Sequence, residues 1–154
     1  MSITVAVVGR PRHAGVAEAV REYETRAARY WPLDVREVRE ESARSTSPAL
    51  VVEREWVRLA AQLPAGARVV LCDPGGDAMD SAQFAAWLQR QRDAAESVAF
   101  VIGGAFGLPE AARRAATRRL SLAPWTLPHE LARLVLAEQL YRAGTIARGE
   151  PYHK

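Results

Sequence analysis

Three short and almost entirely apolar runs recur along the chain, and they limit its fold more than any other feature. They cover Ile3–Val8, Arg68–Cys72 and Val98–Ile102. The third run, VAFVI, is apolar at every position, which is typical of a central strand in a parallel sheet that is covered on both faces. Segments with apolar residues at helical spacing separate the runs. Because strands alternate with helices, we predict an α/β fold with a mainly parallel sheet and helices on both faces.

Two of the predicted helices have distinctive sequences. Ser47-Pro48 has the form of a helix start, and the apolar face of that helix is predicted from Val52, Trp56, Leu59 and Leu63. The longest helix is predicted over His129–Ala147. Its apolar residues surround much of its girth, so we expect it to be buried on two sides, most simply by dimerisation.

Length and composition favour one globular domain over residues 1–154. Hydrophobic residues make up 49% of the chain and charged residues 25%, which excludes a disordered polypeptide. No apolar run is long enough to cross a bilayer, and the first ten residues resemble a buried strand more than a signal peptide. The single cysteine, Cys72, excludes an intrachain disulfide. We therefore expect a cytoplasmic protein without a membrane partner.

The basic residues are nearly all arginine. The formal net charge is +3, and of the 21 basic side chains only Lys154 is a lysine. Arginine binds phosphates with two bonds and stacks on bases, so this composition suits an RNA-binding protein. It is equally typical of a GC-rich genome, and charge alone therefore leaves both explanations open.

Three loops follow predicted strands in the second half of the chain: Asp73–Gly76, Gly103–Gly107 and Ala123–Pro128. In open parallel sheets, ligands bind beyond the carboxyl ends of the strands. Glycines at such places let a ligand approach the backbone, although they also serve simply to form a tight turn. These loops are our candidate binding site.

Several other kinds of site are disfavoured. The spacing GGxxG is not the GxGxxG of nicotinamide-dependent enzymes, and a phosphate-binding P-loop is excluded because the only lysine is the last residue. His13, His129 and His153 lie far apart, and none has a partner at metal-ligand spacing, so we expect no metal. Cys72 lies inside a strand without an activating neighbour.

Polar residues near the C-terminus form a second candidate group. Glu138 and Arg142 are four residues apart and share one helix face, where they can pair. Tyr152 and His153 follow in the tail. A tyrosine there can stack on a base and a histidine can move a proton, although a frayed tail is the simpler interpretation.

The chain resembles the ribosomal RNA large subunit methyltransferase H family, the smallest members of the SPOUT superfamily of knotted methyltransferases. The matching segments run in order from end to end: Ala6–Gly9, Leu71–Gly76, Phe100–Leu108, Ser121–His129, Arg133–Ala143 and Pro151–His153. The combination of IGG, SL…TLPH, LAEQLYRA and a terminal PYHK makes the resemblance specific.

The resemblance implies an α/β domain with a deep C-terminal trefoil knot, an S-adenosylmethionine cofactor and a homodimer. It implies methylation of N3 of a pseudouridine in a hairpin loop of 23S rRNA, on the assembled ribosome. The implied cofactor residues are Leu71, Cys72, Asp73, Gly103, Gly104, Ala123, Pro124, Trp125, Thr126, Leu127 and Pro128. The implied residues at the target base are Glu138, Arg142, Tyr152 and His153.

In the mechanism that this suggests, methyl transfer is a direct displacement. Arg142 stabilises the developing anion and His153 accepts the proton. Arg10, Arg12, Arg113 and Arg114 are candidates for phosphate contacts. The alternatives are a non-catalytic ribosome-binding or assembly protein, the same fold acting on another RNA such as tRNA, and, less favoured, a nicotinamide oxidoreductase.

Overall fold

The computed structural model describes residues 1–44 and 46–154, and within them the chain forms the predicted α/β fold. The strands are β1 (Ile3–Val8), β2 (Leu33–Val38), β3 (Arg68–Ala78), β4 (Val98–Ile102) and β5 (Arg118–Ser121). The helices are α1 (Ala14–Ala27), α2 (Pro48–Ala60), α3 (Ser81–Asp93), α4 (Glu110–Ala115) and α5 (His129–Ala147), followed by a 3₁₀ turn over Pro151–His153. No helix of the described part of the chain is long and apolar enough to cross a membrane.

The strands form one sheet in the order β2-β1-β4-β3-β5, and every neighbouring pair is parallel. Val98 of β4 lies opposite Ile3 on one side and Arg68 on the other. All five residues of β4 are buried, as the VAFVI run predicts. Because the strands are parallel, the loops after β1, β3, β4 and β5 emerge at the same edge of the sheet.

Helices cover both faces. On one face α5 packs between α1 and α3, over a core that includes Trp31, Phe100 and Leu136. On the other face α2 and α4 cover a smaller core that includes Leu59, Leu71 and Val101. Phe100 and Val101 point to opposite faces because side chains alternate along a strand.

Much of the apolar girth of α5 is covered within one chain, although Leu131 stays exposed and Leu134 and Val135 stay half-buried. Its buried residues include Leu136, Leu140 and Ala143, and α1 and α3 of the same chain contact the helix. The sequence suggested that a second copy of the chain buries the second side of α5. In the structure, the sheet order places α1 and α3 of the same chain on either side of α5, so the buried residues do not by themselves require a second copy.

Two local predictions about strands are wrong. We expected the second apolar run to end at Cys72 with a turn over Asp73–Gly76, but β3 continues to Ala78 around a bulge: Cys72 and Asp77 both lie opposite Leu120. A methyl group on Gly76 would lie 2.6 Å from the backbone of Arg119, so the bulge requires glycine. The sequence also predicts that the helix opened by Pro109 carries Arg118 and Arg119, but both lie in β5 because α4 ends at Ala115.

Candidate functional site

A cavity of about 520 Å³ lies at the carboxyl edge of the sheet, where the three candidate loops meet. Its volume is typical of small-molecule pockets, which span roughly 300–1,000 Å³. The lining residues come from the middle of β3, the loop after β4, one position of α4, and the segment from the end of β5 into α5. Those predicted from the sequence to bind a cofactor are Cys72, Asp73, Gly103, Gly104, Ala123, Trp125, Thr126, Leu127 and Pro128.

Nine of the eleven residues predicted to bind a cofactor thus line one cavity. The other two do not: Leu71 is fully buried in the sheet, and Pro124 is not part of the wall. Leu108 and Leu122 were missed at the sequence level, and they are apolar wall residues one position outside the predicted loops. Arg113, which was considered only for phosphate contacts, also reaches the cavity from α4.

The loop after β4 needs its glycines for packing. A methyl group on Gly103 would lie 2.9 Å from the carbonyl oxygen of Gly107, because the loop folds back on itself. The Gly107 N–H donates to the Gly104 carbonyl at 3.1 Å, and Gly107 has a φ of +83°. The tight turn therefore accounts for these glycines, and the same turn leaves bare backbone at the cavity wall.

Asp73 is the acidic group of the cavity wall, and its own neighbours hold it. Arg119 donates two hydrogen bonds to Asp73 Oδ2, at 3.0 and 2.9 Å, and the Gly75 N–H donates to Oδ1 at 2.9 Å. Burial alone would raise the pKa of Asp73, but the Gly75 N–H and the Arg119 guanidinium together lower it. An ionised carboxylate fixed in this way stabilises the wall and still presents a negative edge.

Cys72 does not supply a nucleophile. Burial raises the pKa of its thiol to about 12, so the thiolate is scarce near neutral pH. This agrees with the sequence, which shows no activating neighbour for Cys72, although the side chain is half-buried at the cavity wall and not fully enclosed.

The cavity suits a nucleoside-sized cofactor. Apolar side chains of Leu108, Leu122 and Leu127 can enclose a flat ring, and the backbone at Gly103–Gly104 can approach a ligand without a side chain between them. The described residues contain no group of histidine, cysteine, aspartate and glutamate side chains arranged to hold a metal ion.

The structure brings together three of the four residues proposed to act at the target base. Arg142 donates from Nε and Nη2 to Glu138 Oε1, at 3.0 and 2.6 Å. The Tyr152 hydroxyl donates to the same oxygen at 3.1 Å, and the Arg142 guanidinium carbon lies 5.0 Å from the centre of the Tyr152 ring. The tail is thus folded onto α5. His153 is exposed and makes no hydrogen bond in this cluster.

Electrostatics in this cluster keep the arginine charged and the tyrosine neutral. The hydrogen bond to Glu138 raises the pKa of Arg142. Burial, together with hydrogen bonding and the negative charge of Glu138, raises the pKa of Tyr152. The cluster therefore presents a fixed guanidinium beside an aromatic ring, which is a suitable surface for a base that becomes negatively charged.

The cluster does not line the cavity of its own chain. Only the first turn of α5 reaches the cavity, through His129 and Ala132. At about 1.5 Å of rise per residue, Glu138 lies roughly 9 Å and Arg142 roughly 15 Å further along the helix than Ala132. Within one chain, the cavity and the cluster, which are the two halves of the predicted site, therefore lie apart.

The four arginines considered for phosphate contacts differ in their surroundings. Arg10 and Arg12 are largely exposed but pair with Glu37 at 3.6 Å and Glu40 at 2.6 Å. Arg113 lies at the cavity, 3.7 Å from Asp73, and Arg114 is exposed on α4.

Comparison with known proteins gives a consistent result. The family model described as "Predicted SPOUT methyltransferase" matches residues 1–153. The chain is 69% identical, over all of both chains, to the "Ribosomal RNA large subunit methyltransferase H" of Gemmatimonas aurantiaca. It is 44% identical to the protein of that name from Anaeromyxobacter dehalogenans, over 100% of each chain, and 43% identical to that of Pelobacter propionicus, over 99% of each.

One solved structure has a similar fold. A probable methyltransferase from Bordetella pertussis Tohama I superposes with a TM-score of 0.56 at 18% identity, covering 92% of this chain and 93% of that one. At this identity the likeness concerns the fold alone.

Proposed function

Because this chain belongs to the SPOUT methyltransferases, and among them to the ribosomal RNA large subunit methyltransferase H family, we propose that it methylates N3 of a pseudouridine in a hairpin loop of 23S rRNA. The methyl donor is S-adenosylmethionine, and the substrate is the assembled ribosome in the cytoplasm. The observation that carries the proposal is the cavity at the sheet edge, which gathers nine of the predicted cofactor residues from three separate loops.

The cofactor would be held by the three loops around the cavity. Leu108, Leu122 and Leu127 would enclose its ring, and the backbone of Gly103 and Gly104 would offer hydrogen bonds. Bound there, the cofactor supplies an electrophilic methyl group. The loops exclude water and fix the direction from which the target nitrogen approaches, and such alignment accounts for a large part of the rate of a displacement reaction.

The cluster on α5 would act on the base. N3 of the pseudouridine would lose its proton to His153 and bond to the methyl carbon, and the bond between that carbon and the sulfonium sulfur of the cofactor would break, so that a neutral thioether leaves. Arg142 stabilises the negative charge on the base, and Tyr152 provides a ring on which the base packs. Glu138 acts through Arg142, since the two hydrogen bonds that it accepts set the orientation of the guanidinium. His153 is suited to a mobile proton acceptor because it is exposed.

The separation between cavity and cluster supports a homodimer. Arg142 lies about 15 Å beyond the cavity along α5, so a complete site within one chain would need a long reach. In a two-fold dimer, the cluster of one chain can face the cavity of its partner. We therefore propose that each active site combines the cavity of one chain with the Glu138, Arg142 and Tyr152 cluster of the other.

Mixing two inactive variants tests this arrangement. Arg142→Ala disables the cluster and Gly103→Leu disables the cavity. In an equal mixture about half of the dimers are heterodimers, each with one intact site, so about a quarter of the wild-type activity returns. If both halves of a site belong to the same chain, the mixture stays inactive.

The knot and the single-domain organisation also belong to the proposal. The segment from Leu122 to Pro128 borders the cavity together with the middle of β3 and the loop after β4. We propose that this segment and α5 pass through the knot typical of the superfamily, within one domain over residues 1–154.

Calorimetry and methyl transfer distinguish the proposal from its alternatives. The proposed enzyme binds S-adenosylmethionine and transfers labelled methyl groups to ribosomes. A non-catalytic ribosome-binding protein would bind ribosomes without the cofactor. An enzyme of the same fold with a tRNA substrate would bind the cofactor and label tRNA instead.

A further inference from the structure

Glu55 on α2 is an unusual buried carboxyl. Only 2% of the residue is exposed, and Oε2 accepts a hydrogen bond from the Glu41 backbone N–H at 3.1 Å. Oε1 is buried as well, and no hydrogen-bond partner for it exists among residues 1–44 and 46–154. Burial raises the pKa of this carboxyl, against the opposing effects of the Glu41 N–H and Arg58. Buried polar atoms are almost always paired, so an unpaired one calls for an explanation.

The neighbour of the unpaired oxygen is the glycine loop of the cavity. A methyl group on Gly104 would lie 2.7 Å from Oε1 and 3.1 Å from Oε2. The backbone at Gly104 therefore lies directly on the Glu55 carboxyl, and no larger residue fits between them. Because Gly103 and Gly104 also line the cofactor cavity, the loop is enclosed between Glu55 on one side and the cavity on the other.

The loop has free space on the Glu55 side. A recess of about 380 Å³ there is lined by Glu55, Ala105 and Phe106, together with residues before α2. Ala105 and Phe106 form the exposed tip of the loop. Because the tip borders this recess, a ligand that fills the cavity can shift the tip without displacing the core.

We infer that Glu55 is a positioning residue for the cofactor loop: its free oxygen accepts a hydrogen bond from the loop backbone when the cofactor fills the cavity. The loop is the element in contact with Oε1, and its backbone N–H groups are the donors that a small shift brings within reach. The bond exists only in the bound form, so it contributes to cofactor affinity and leaves the free protein with an unpaired atom. This inference rests on the proposed function.

Calorimetric titration of the full-length chain with S-adenosylmethionine tests the inference. Glu55→Leu removes the acceptor and should raise the Kd roughly tenfold, which corresponds to about 1.4 kcal/mol. Glu55→Gln keeps an acceptor of the same size and should stay within about twofold of the wild type. The matched controls are Glu53→Leu and Glu53→Gln on the exposed side of the same helix, and they should leave the Kd unchanged.

Hydrogen exchange of the amides in Gly103–Gly107 gives a second measurement that does not depend on activity. Cofactor should slow exchange in the wild type and in Glu55→Gln, and it should slow it much less in Glu55→Leu. Equal Kd values and equal protection in the wild type and in Glu55→Leu would overturn the inference, as would a Glu55→Gln protein as weak as Glu55→Leu.

A double-mutant cycle keeps the inference testable if Glu55→Leu folds poorly. Gly104→Ala should weaken cofactor binding because its methyl group meets the carboxyl, and Glu55→Ala should relieve that loss by making room. Strictly additive effects of Gly104→Ala and Glu55→Ala would contradict the inferred coupling. If the wild type itself does not bind S-adenosylmethionine, the proposed function fails, and that result is distinct from equal binding by wild type and variants.

Discussion

Replacing Arg133 by methionine should destabilise the protein substantially. Arg133 is 8% exposed on α5 and donates to Glu24 of α1, at 2.7 and 3.2 Å, and to Glu37 of β2, at 2.7 Å. Burial disfavours its charge, but the two carboxylates outweigh burial and raise the pKa of Arg133. One side chain thus joins α5, α1 and the sheet close to the cavity.

The magnitude depends on the groups that the substitution leaves unpaired. Removing one partner of a fully buried ion pair lowers the free energy of unfolding by about 3–5 kcal/mol. The Glu24 side chain is 19% exposed and the Glu37 side chain 33%, so water can partly hydrate the carboxylates. We therefore expect a loss of about 2–3 kcal/mol, and methionine keeps most of the packing of the aliphatic stem. For a domain of this size the Tm should fall by roughly 5–10 °C.

Thermal unfolding followed by circular dichroism checks this prediction. Arg26→Met is the control, because the ion pair of Arg26 is with Glu22 of the same helix, whose side chain is 56% exposed, and this substitution should shift the Tm by no more than about 2 °C. If the penalty comes from the unpaired carboxylates, adding Glu24→Gln to Arg133→Met should recover part of the loss. An Arg133→Met protein with the Tm of the wild type, or no recovery in the double variant, would refute the reasoning.

Three further predictions concern the site. His153→Ala should lower turnover on ribosomes by about 10²-fold or more without changing cofactor affinity, and full turnover would remove His153 from the mechanism. Arg142→Lys should lower turnover by about 10²-fold, because lysine cannot reproduce the two hydrogen bonds that Arg142 donates to Glu138. Unchanged turnover would show that the planar guanidinium is not needed. Since the thiol of Cys72 has a pKa of about 12, its alkylation at pH 8 should be on the order of a thousandfold slower than that of an exposed cysteine, rising about tenfold per pH unit. Mass spectrometry of the alkylated protein measures this rate, and fast labelling of the folded chain would contradict it.

Local sequence patterns predicted the elements whose burial is uniform along the chain. The VAFVI run predicted the central strand because a strand covered on both faces is apolar throughout, and β4 is fully buried. The bounds of α5 over His129–Ala147 also agree with the prediction. The continuation of β3 past Cys72 depends on pairing with Leu120, which is distant in sequence, so no local signal reports it.

The role of Glu55 was not predicted because a different face of α2 was expected to be buried. The predicted face of α2 used Val52, Trp56 and Leu59, whereas the structure buries Val51, Glu55 and Leu59. Those three positions are spaced by four residues and form one row on a helix. A carboxyl in that row was the available signal, and its contact with Gly104 required the tertiary structure.

The sequence predicted the components of the candidate site but not how far apart they lie. Three loops could be selected because parallel strands bring their carboxyl ends to one edge, and nine of the eleven predicted residues line the cavity. The distance between that cavity and Arg142 depends on the length of α5 and the path of the chain. That distance leaves the site within one chain incomplete, and this is a reason to expect a dimer beside the apolar residues of α5 that one chain leaves uncovered.

Nucleoside analysis of 23S rRNA tests the central claim most directly. Ribosomes from a strain that lacks this protein are incubated with the purified chain and S-adenosylmethionine, and the digested rRNA is examined by mass spectrometry. We predict a new N3-methylated pseudouridine in 23S rRNA, absent without the cofactor and strongly reduced with Arg142→Ala. No methyl group in 23S rRNA, or a methyl group on tRNA instead, would contradict the proposed function.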